Sequence, residues 1–401
     1  MFTTSWELVC SRFLQLPAPN LEFVCIITES YTGFAPKLTH SLFEHHAPNL
    51  QSLQLHQCMV DFTKFTSPIL TSLTELYIYG IFFGESAFPT VLDRLNIFSG
   101  MPSLRWVVLV RAISSATTIV TSSYPIIHLT ALNMLSVEGS IEESVSLVEH
   151  LIAPRCGLRL RCDGVQLGSD LGRLWAIIEK KLDLWAENAP NRHLKAYSTR
   201  KAVTVGNLPD CQIRERDTEA IAAHYKHYTH LLDPVLTIKL YLSKPQQAND
   251  VVPLFLSLFA LFKRTFFDTT YLKLWIEHDL DGSEVFLPLV DSFRAFVNLE
   301  KVHLLYLGNS LSMFPLLQHS LPNSVLLPAL QSLCFSNAIF RQNYPYALHQ
   351  VTGFLRWRRE QGFPVQKINT IVDSQITTSR IHTNILSRHS RRVWRLLPRM
   401  G

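Results

Sequence analysis

The stretch Pro48-Asn49-Leu50-Gln51-Ser52-Leu53-Gln54-Leu55-His56-Gln57-Cys58 decides how the rest of the chain is read. Its spacing is L-x-x-L-x-L-x-x-C. Leu53 and Leu55 alternate with Ser52, Gln54 and His56, the period of a strand with one buried and one wet face. Cys58 falls where the chain turns out of that strand. The same line starts again at Leu21, Leu73, Leu104 and Leu132, and later at Val235, Tyr271, Leu299, Leu330 and Val365. A weaker version, Leu158-Arg-Leu160-Arg-Cys162, closes the first half. Ten copies exceed what chance alternation supplies, so the chain reads as an array of similar units.

Segments between the lines carry helical periodicity. Ser140 to Ile152 places Ile141, Val145, Val148 and Leu151 on one stripe, with Ser140 able to cap and Glu142 and Glu143 in the first turn. Thr90 to Phe98, Leu171 to Trp185, Pro253 to Arg264 and Tyr346 to Gln361 read the same way. Strand, turn and helix at this period resemble the leucine-rich repeat. The expected fold is therefore α/β: a leucine-rich-repeat solenoid, or horseshoe, of about ten irregular repeats, strands concave and helices convex. Residues 1–378 form it, with a divergent segment at 164–230 in which His193 to Gly206 holds one or two strands. Residues 379–401 are expected to be a basic, mobile tail.

With 47% hydrophobic and 17% charged residues over a length of 401, the chain buries a large core and is not disordered. The net charge of +5, from 37 Lys and Arg against 32 Asp and Glu, is mild and concentrated toward the C-terminus. That argues against a nucleic-acid partner, which favours a sustained basic face. Seven widely spaced cysteines, several inside strand lines, suit a reducing compartment, cytoplasm or nucleus, better than a disulfide framework. No basic region followed by an apolar run opens the chain, so no signal peptide is expected. The run Val251 to Phe262 is too short for a membrane span and reads as a buried helix.

Catalytic signatures are missing: there is no P-loop, G-x-S-x-G, H-E-x-x-H or C-x-x-C. The glycines of Gly164 to Gly172 lack dinucleotide-loop spacing. His45, His46, His56 and Cys58 are close together, yet Cys58 belongs to the repeat line and no zinc spacing is recognisable. Arg388 to Arg399 reads as a solvated tail before it reads as an import signal or anion-binding arm. No enzyme, cofactor or metal is expected. An α/β enzyme with a doubly wound sheet would need a phosphate loop or convergent acid, base and nucleophile at strand ends. The surface the pattern does build is the outward face of the strands. A protein partner is expected there, on Tyr77, Tyr79, Trp106, Val108, Lys239, Tyr241, Trp275 and His303, because aromatic side chains anchor interfaces.

The phrases Ala18-Pro-Asn-Leu-Glu-Phe-Val, Ala47-Pro-Asn-Leu-Gln-Ser-Leu, Leu70-Thr-Ser-Leu-Thr-Glu-Leu, Met101-Pro-Ser-Leu-Arg-Trp and Leu327-Pro-Ala-Leu-Gln-Ser-Leu recur in order. Together they resemble the leucine-rich-repeat region of fungal (basidiomycete-type) F-box proteins. The resemblance implies the substrate-recognition part of a ubiquitin-ligase subunit, its repeats holding the target. In that family an N-terminal F-box holds a cullin-ligase adaptor. No F-box is found here, so an adaptor is expected as partner only if one lies upstream. Without it the chain is a stand-alone scaffold or a truncated fragment, since no polar cap precedes Leu21.

Overall fold

The structure, a computed structural model, describes residues 14, 16–27, 37–38, 43, 46–57, 59–60, 68–80, 89–113, 124–166, 171–186, 193–199, 201–207, 236–244, 248–265, 268–276, 283–294, 296–306, 313–319, 325–336, 344–372 and 375–379. Cys58, His45 and the basic tail lie outside them. In chain order the strands begin with β1 (Phe23–Ile27), β2 (Lys37–Leu38), β3 (Ser52–His56), β4 (Met59–Val60), β5 (Glu75–Tyr79) and β6 (Trp106–Val110). Next come β7 (Ile127–His128), β8 (Met134–Ser140), β9 (Leu151–Ile152), β10 (Gly157–Val165), β11 (His193–Ser198) and β12 (Ala202–Gly206). The last are β13 (Leu236–Leu242), β14 (Tyr271–Ile276), β15 (Lys301–Tyr306), β16 (Ser332–Ser336), β17 (Lys367–Val372) and β18 (Gln375–Ser379). The helices are α1 (Pro68–Ser72), α2 (Val91–Ser99), α3 (Ile141–Glu149), α4 (Gly172–Ala186), α5 (Ala248–Thr265), α6 (Ser283–Phe293), α7 (Met313–His319) and α8 (Tyr344–Glu360).

Every copy of the repeat line becomes a strand, and most strands start two residues after the first leucine of the line. That leucine closes a turn instead. Leu21, Leu50, Leu104, Leu132, Leu299 and Leu330 each donate their N–H to the carbonyl three residues back, at 3.0–3.3 Å. The phrase Ala47-Pro48-Asn49-Leu50 shows why. Ala47 and Leu50 are fully buried, while Pro48 and Asn49 face water. Proline is preset for the second position of such a turn, and it recurs there as Pro19, Pro102 and Pro328.

Strand entry is equally regular. The carbonyl of Glu22 accepts from the N–H groups of both Gln51 and Ser52, and that of Gln51 from both Thr74 and Glu75. Thr74, Arg105, Thr270, Glu300 and Gln331 repeat the arrangement, all at 2.7–3.1 Å. One acceptor shared by two consecutive donors leaves each strand a single starting register.

The chain divides into two compact units, Met1–Pro190 with Leu208–Lys244 and Asn191–Asn207 with Pro245–Gly401. In the first, β1, β3, β5, β6, β8, β10 and β13 pair in that order, all parallel. The weak line at Leu158 yields β10, a nine-residue strand. Leu53, Leu55, Leu76, Ile78, Val107, Leu109, Leu135, Val137, Leu158 and Leu160 form the core face, none more than 3% exposed. Helix α3 packs on β8 and β10, and α2 and α4 pack on α3. Both α2 and α3 start as their sequences dictate. Ser140 Oγ accepts from Glu143 N, and Thr90 and Asp93 form a reciprocal capping box.

In the second unit β11, β14, β15, β16 and β17 are parallel, with β12 antiparallel to β11 and β18 antiparallel to β17. The stretch His193 to Gly206 is thus a hairpin. Helix α5, from the apolar run at Val251, packs on β11 and β12. Phenylalanines fill this core: Phe259 meets Phe296 at 5.8 Å, and Phe314 meets Phe354 at 5.1 Å and Phe335 at 6.2 Å between ring centres. Among the described residues no helix is long and apolar enough to cross a membrane.

Two arginines are buried on the helix side. Arg94 donates from Nε and Nη2 to the carbonyl of Ala112, at 3.2 and 2.6 Å. Arg358 donates to the carbonyls of Phe363, Leu326 and Leu330, at 3.0, 2.9 and 3.3 Å. Burial lowers their pKa to about 9 and about 10, so both stay charged at neutral pH. Arg358 stitches helix α8 to the turn that opens the Leu330 line. Replacing it by Met leaves three carbonyls without that donor, and is expected to cost about 3 kcal/mol. Urea unfolding monitored by circular dichroism reads this as a lower midpoint at constant slope; an unchanged midpoint removes the role.

Candidate interaction surface

Side chains alternate along each strand, so the residues between the core leucines share the opposite face. The pairing register of the first unit aligns them in three rows. The middle row runs Cys25, Gln54, Tyr77, Val108, Ser136, Arg159, Thr237. On the side toward the strand C-termini lie Ile27, His56, Tyr79, Val110, Glu138, Arg161 and Lys239. On the other side lie Phe23, Ser52, Glu75, Trp106, Met134 and Gly157.

Alternation predicts that all of these face solvent, and the structure corrects that. Tyr77 and Val108 are each 3% exposed, Gln54, Ser52 and Ser136 7%. Strands in register lie about 4.8 Å apart, so side chains of one row shield one another; on the inner strands the middle row is closed from both flanks, while Cys25 on β1 stays exposed, and Ser52 in a flanking row is covered as well. Tyr77 and Val108 therefore offer a partner almost no area here. His56 is half-buried, its ring stacked on Tyr79 at 4.3 Å with 8° between planes. Burial holds its pKa below the usual histidine range.

The flanking rows keep accessible area. Tyr79, Trp106, Lys239 and Tyr241 are half-buried, and Lys239 Nζ lies 4.4 Å from the Tyr241 ring centre. At β1 the apolar side chains of Phe23 and Ile27 are 41% and 59% exposed. Further along, charge replaces apolar area: Arg161 pairs with Glu138 at 3.1 Å, and Arg111 with Asp163 at 3.1 Å. The Arg111–Asp163 pair is open to solvent and the Arg161–Glu138 pair half-buried, so they set the pattern of charge more than they add stability.

Trp275 and His303 belong to the second unit. Register places Trp275 beside Tyr197, and His303 between Lys273 and Cys334, while the side chains of Trp275 and His303 lie outside those described. The sequence reading passed over Arg159, Arg161, Lys195 and Lys367 on these faces. The signal for them is strand parity, in the lines at Leu158 and Val365 for Arg159, Arg161 and Lys367 and in the stretch His193 to Gly206 for Lys195.

Cys156 and Cys162 are poor nucleophiles in the folded chain. Burial pushes Cys156 and Cys162 up to about 12, with Asp163 and Glu142 adding to the effect on Cys162. Among the described residues no three His, Cys, Asp or Glu side chains are arranged to hold a metal.

No protein-family model and no curated protein matches this chain. Among solved structures it is similar to the leucine-rich repeat-containing protein LegL7 from Legionella pneumophila, at 14% identity and a TM-score of 0.37, with 90% of this chain and 92% of that one covered.

The thiols report on this geometry. At pH 8, iodoacetamide is expected to modify exposed Cys25 and to spare Cys156 and Cys162 until the chain is unfolded, as mapped by peptide mass spectrometry. A thiol raised to about 12 holds almost no thiolate at pH 8, and gains it only as pH climbs toward that value. Early labelling of Cys162 would contradict its place under the strand face.

Proposed function

We propose that this chain is a leucine-rich-repeat protein that works by binding another protein on its strand face, without catalysis or a cofactor. Each unit's array is read as a leucine-rich-repeat solenoid, strands on the concave side. One observation carries the reading. The turn and the doubled acceptor at strand entry recur from repeat to repeat, while the residues that they project outward differ at every step. A scaffold of constant geometry with variable outward positions serves recognition. The area for it lies on Tyr79, Trp106, Ile27 and Phe23, in rows that run on to the ion-paired Glu138 and Arg161.

The ordered phrases around Pro19, Pro48, Pro102 and Pro328 support a narrower form, recruitment of a target as in F-box ligase subunits. A cullin adaptor co-purifying with the natural gene product tests that form. Among the described residues Cys25, Cys156, Cys162 and Cys334 are free thiols, the last three buried, which supports a reducing site of action, cytoplasm or nucleus.

The binding reading itself is tested by the double variant Tyr79→Ser/Trp106→Ser. Crosslinking of the native protein in its source cells is expected to place a partner on β3, β5, β6 and β8. The variant is expected to lose about tenfold or more of that crosslink while keeping its thermal unfolding. Equal crosslinking by both forms would overturn the assignment of this face.

A further inference from the structure

Across the strand-entry ends of the first unit runs a cleft of about 590 Å³, apart from the strand face. Four successive repeats contribute to it: Asn49 and Gln51, then Ser72 and Thr74, then Ser103 and Arg105, and last Ala131. Its floor is small and already tied down. Ser72 Oγ donates to the carbonyls of Leu50 and Ile69 at 2.9 and 3.0 Å, and Thr74 Oγ1 to that of Gln51 at 3.2 Å. Pro48, Gln51, Pro102 and Arg105 are exposed on either side, while Ser72 and Thr74 are half-buried, so the hollow stands between two proline turns.

We propose that this cleft holds a short polypeptide segment, with the carboxylate of one Asp or Glu side chain on Arg105. It is a second site, beyond the strand-face reading above. The one formal charge on its walls is the Arg105 guanidinium, and no Asp or Glu lines it. Among the described residues that guanidinium, the Gln51 amide and the Ser103 hydroxyl form no hydrogen bond or ion pair. Further donors stand on the same residues. The N–H groups of Asn49, Ser103 and Ala131, each just before the leucine that closes a turn, give no hydrogen bond to a carbonyl among the described residues.

Chemistry selects the ligand. A guanidinium fork meets a carboxylate through two parallel hydrogen bonds, one positive charge against one negative. A phosphate ester, at a charge of about −1.5 to −2, keeps an excess on a wall that holds a single cation. The amide and hydroxyl groups around Arg105 match the N–H and C=O groups that recur along a polypeptide. No aromatic ring lines the cleft, so a nucleic-acid base has nothing to stack on. Geometry sets the length: the cleft spans three strand spacings, about 14 Å, the reach of about four residues of extended chain. Arg105 stands in the third of the four repeats and the cleft runs on past it to Ala131, which suits a side chain within a segment and not a chain end.

The test passes fluorescent pools of seven-residue peptides over the immobilised full chain. Their ends are blocked, their flanks are drawn from Gly, Ala, Ser and Asn, and the central residue is fixed as Glu, Gln or phosphoserine. The Glu pool is expected to be retained about tenfold more than the Gln pool, and Arg105→Gln to abolish that difference. Ala131→Trp, which fills the cleft and leaves the charge in place, is expected to abolish it too. Arg105 is exposed and holds its repeat through backbone groups that glutamine keeps, so thermal unfolding of Arg105→Gln should match that of the natural chain. Where it does not, Ala131→Trp carries the test. Equal retention of the Glu and Gln pools, a Glu preference that survives the substitutions, or stronger retention of the phosphoserine pool would each overturn the proposal.

Discussion

Seven carbonyls, those of Glu22, Gln51, Thr74, Arg105, Thr270, Glu300 and Gln331, each accept two consecutive N–H groups from the following strand. Much else depends on this arrangement. A parallel strand can slide by two residues and still bury its leucines, so alternation alone leaves register open. The shared acceptor removes that freedom at the point of entry, and the turn before it, closed onto Leu50 or its counterpart, brings the chain there. Buried turn positions such as Ala47, Met101, Phe296 and Leu327 then anchor the turn in the core. Sequence chemistry, hydrogen bonding and packing agree at the same four residues.

Fixed register has a consequence for the opposite face. Outward positions stack into straight rows, and a side chain in a middle row has neighbours on four sides. Tyr77 is buried although it points away from the leucines, and Lys195 is buried too. What keeps accessible area is part of the flanking rows, Tyr79, Trp106, Val110 and Lys239 among them, together with the apolar side chains of β1. Recognition on such a face depends on the edges of the stack more than on its centre.

Much of the architecture was legible in the sequence, for physical reasons. The repeat line marks strands because burial on one face imposes period two. Thr90 and Ser140 mark helix starts because orphan amides need an acceptor. Other features left weaker traces. The hairpin at His193 to Gly206 and the antiparallel β18 have no repeat line, since their partners are set by the sheet. The roles of Arg94 and Arg358 depend on carbonyls brought close only by folding. On the candidate face, parity placed Tyr79, Trp106 and Lys239 correctly on one side. It could not separate them from Tyr77 and Val108, because exposure depends on adjacent strands that are distant in sequence.

The same reasoning explains how one scaffold accommodates different surfaces. The positions that hold register are backbone groups and buried apolar side chains, and neither requires anything of the outward residues. In the first unit those residues include Glu138 and Asp163, whose charges are offset locally by Arg161 and Arg111. In the second they include Lys301 and Lys367, both exposed, while Val302 and Leu333 are buried on the opposite face. The fold therefore fixes where outward side chains stand and leaves their chemistry free to vary from repeat to repeat.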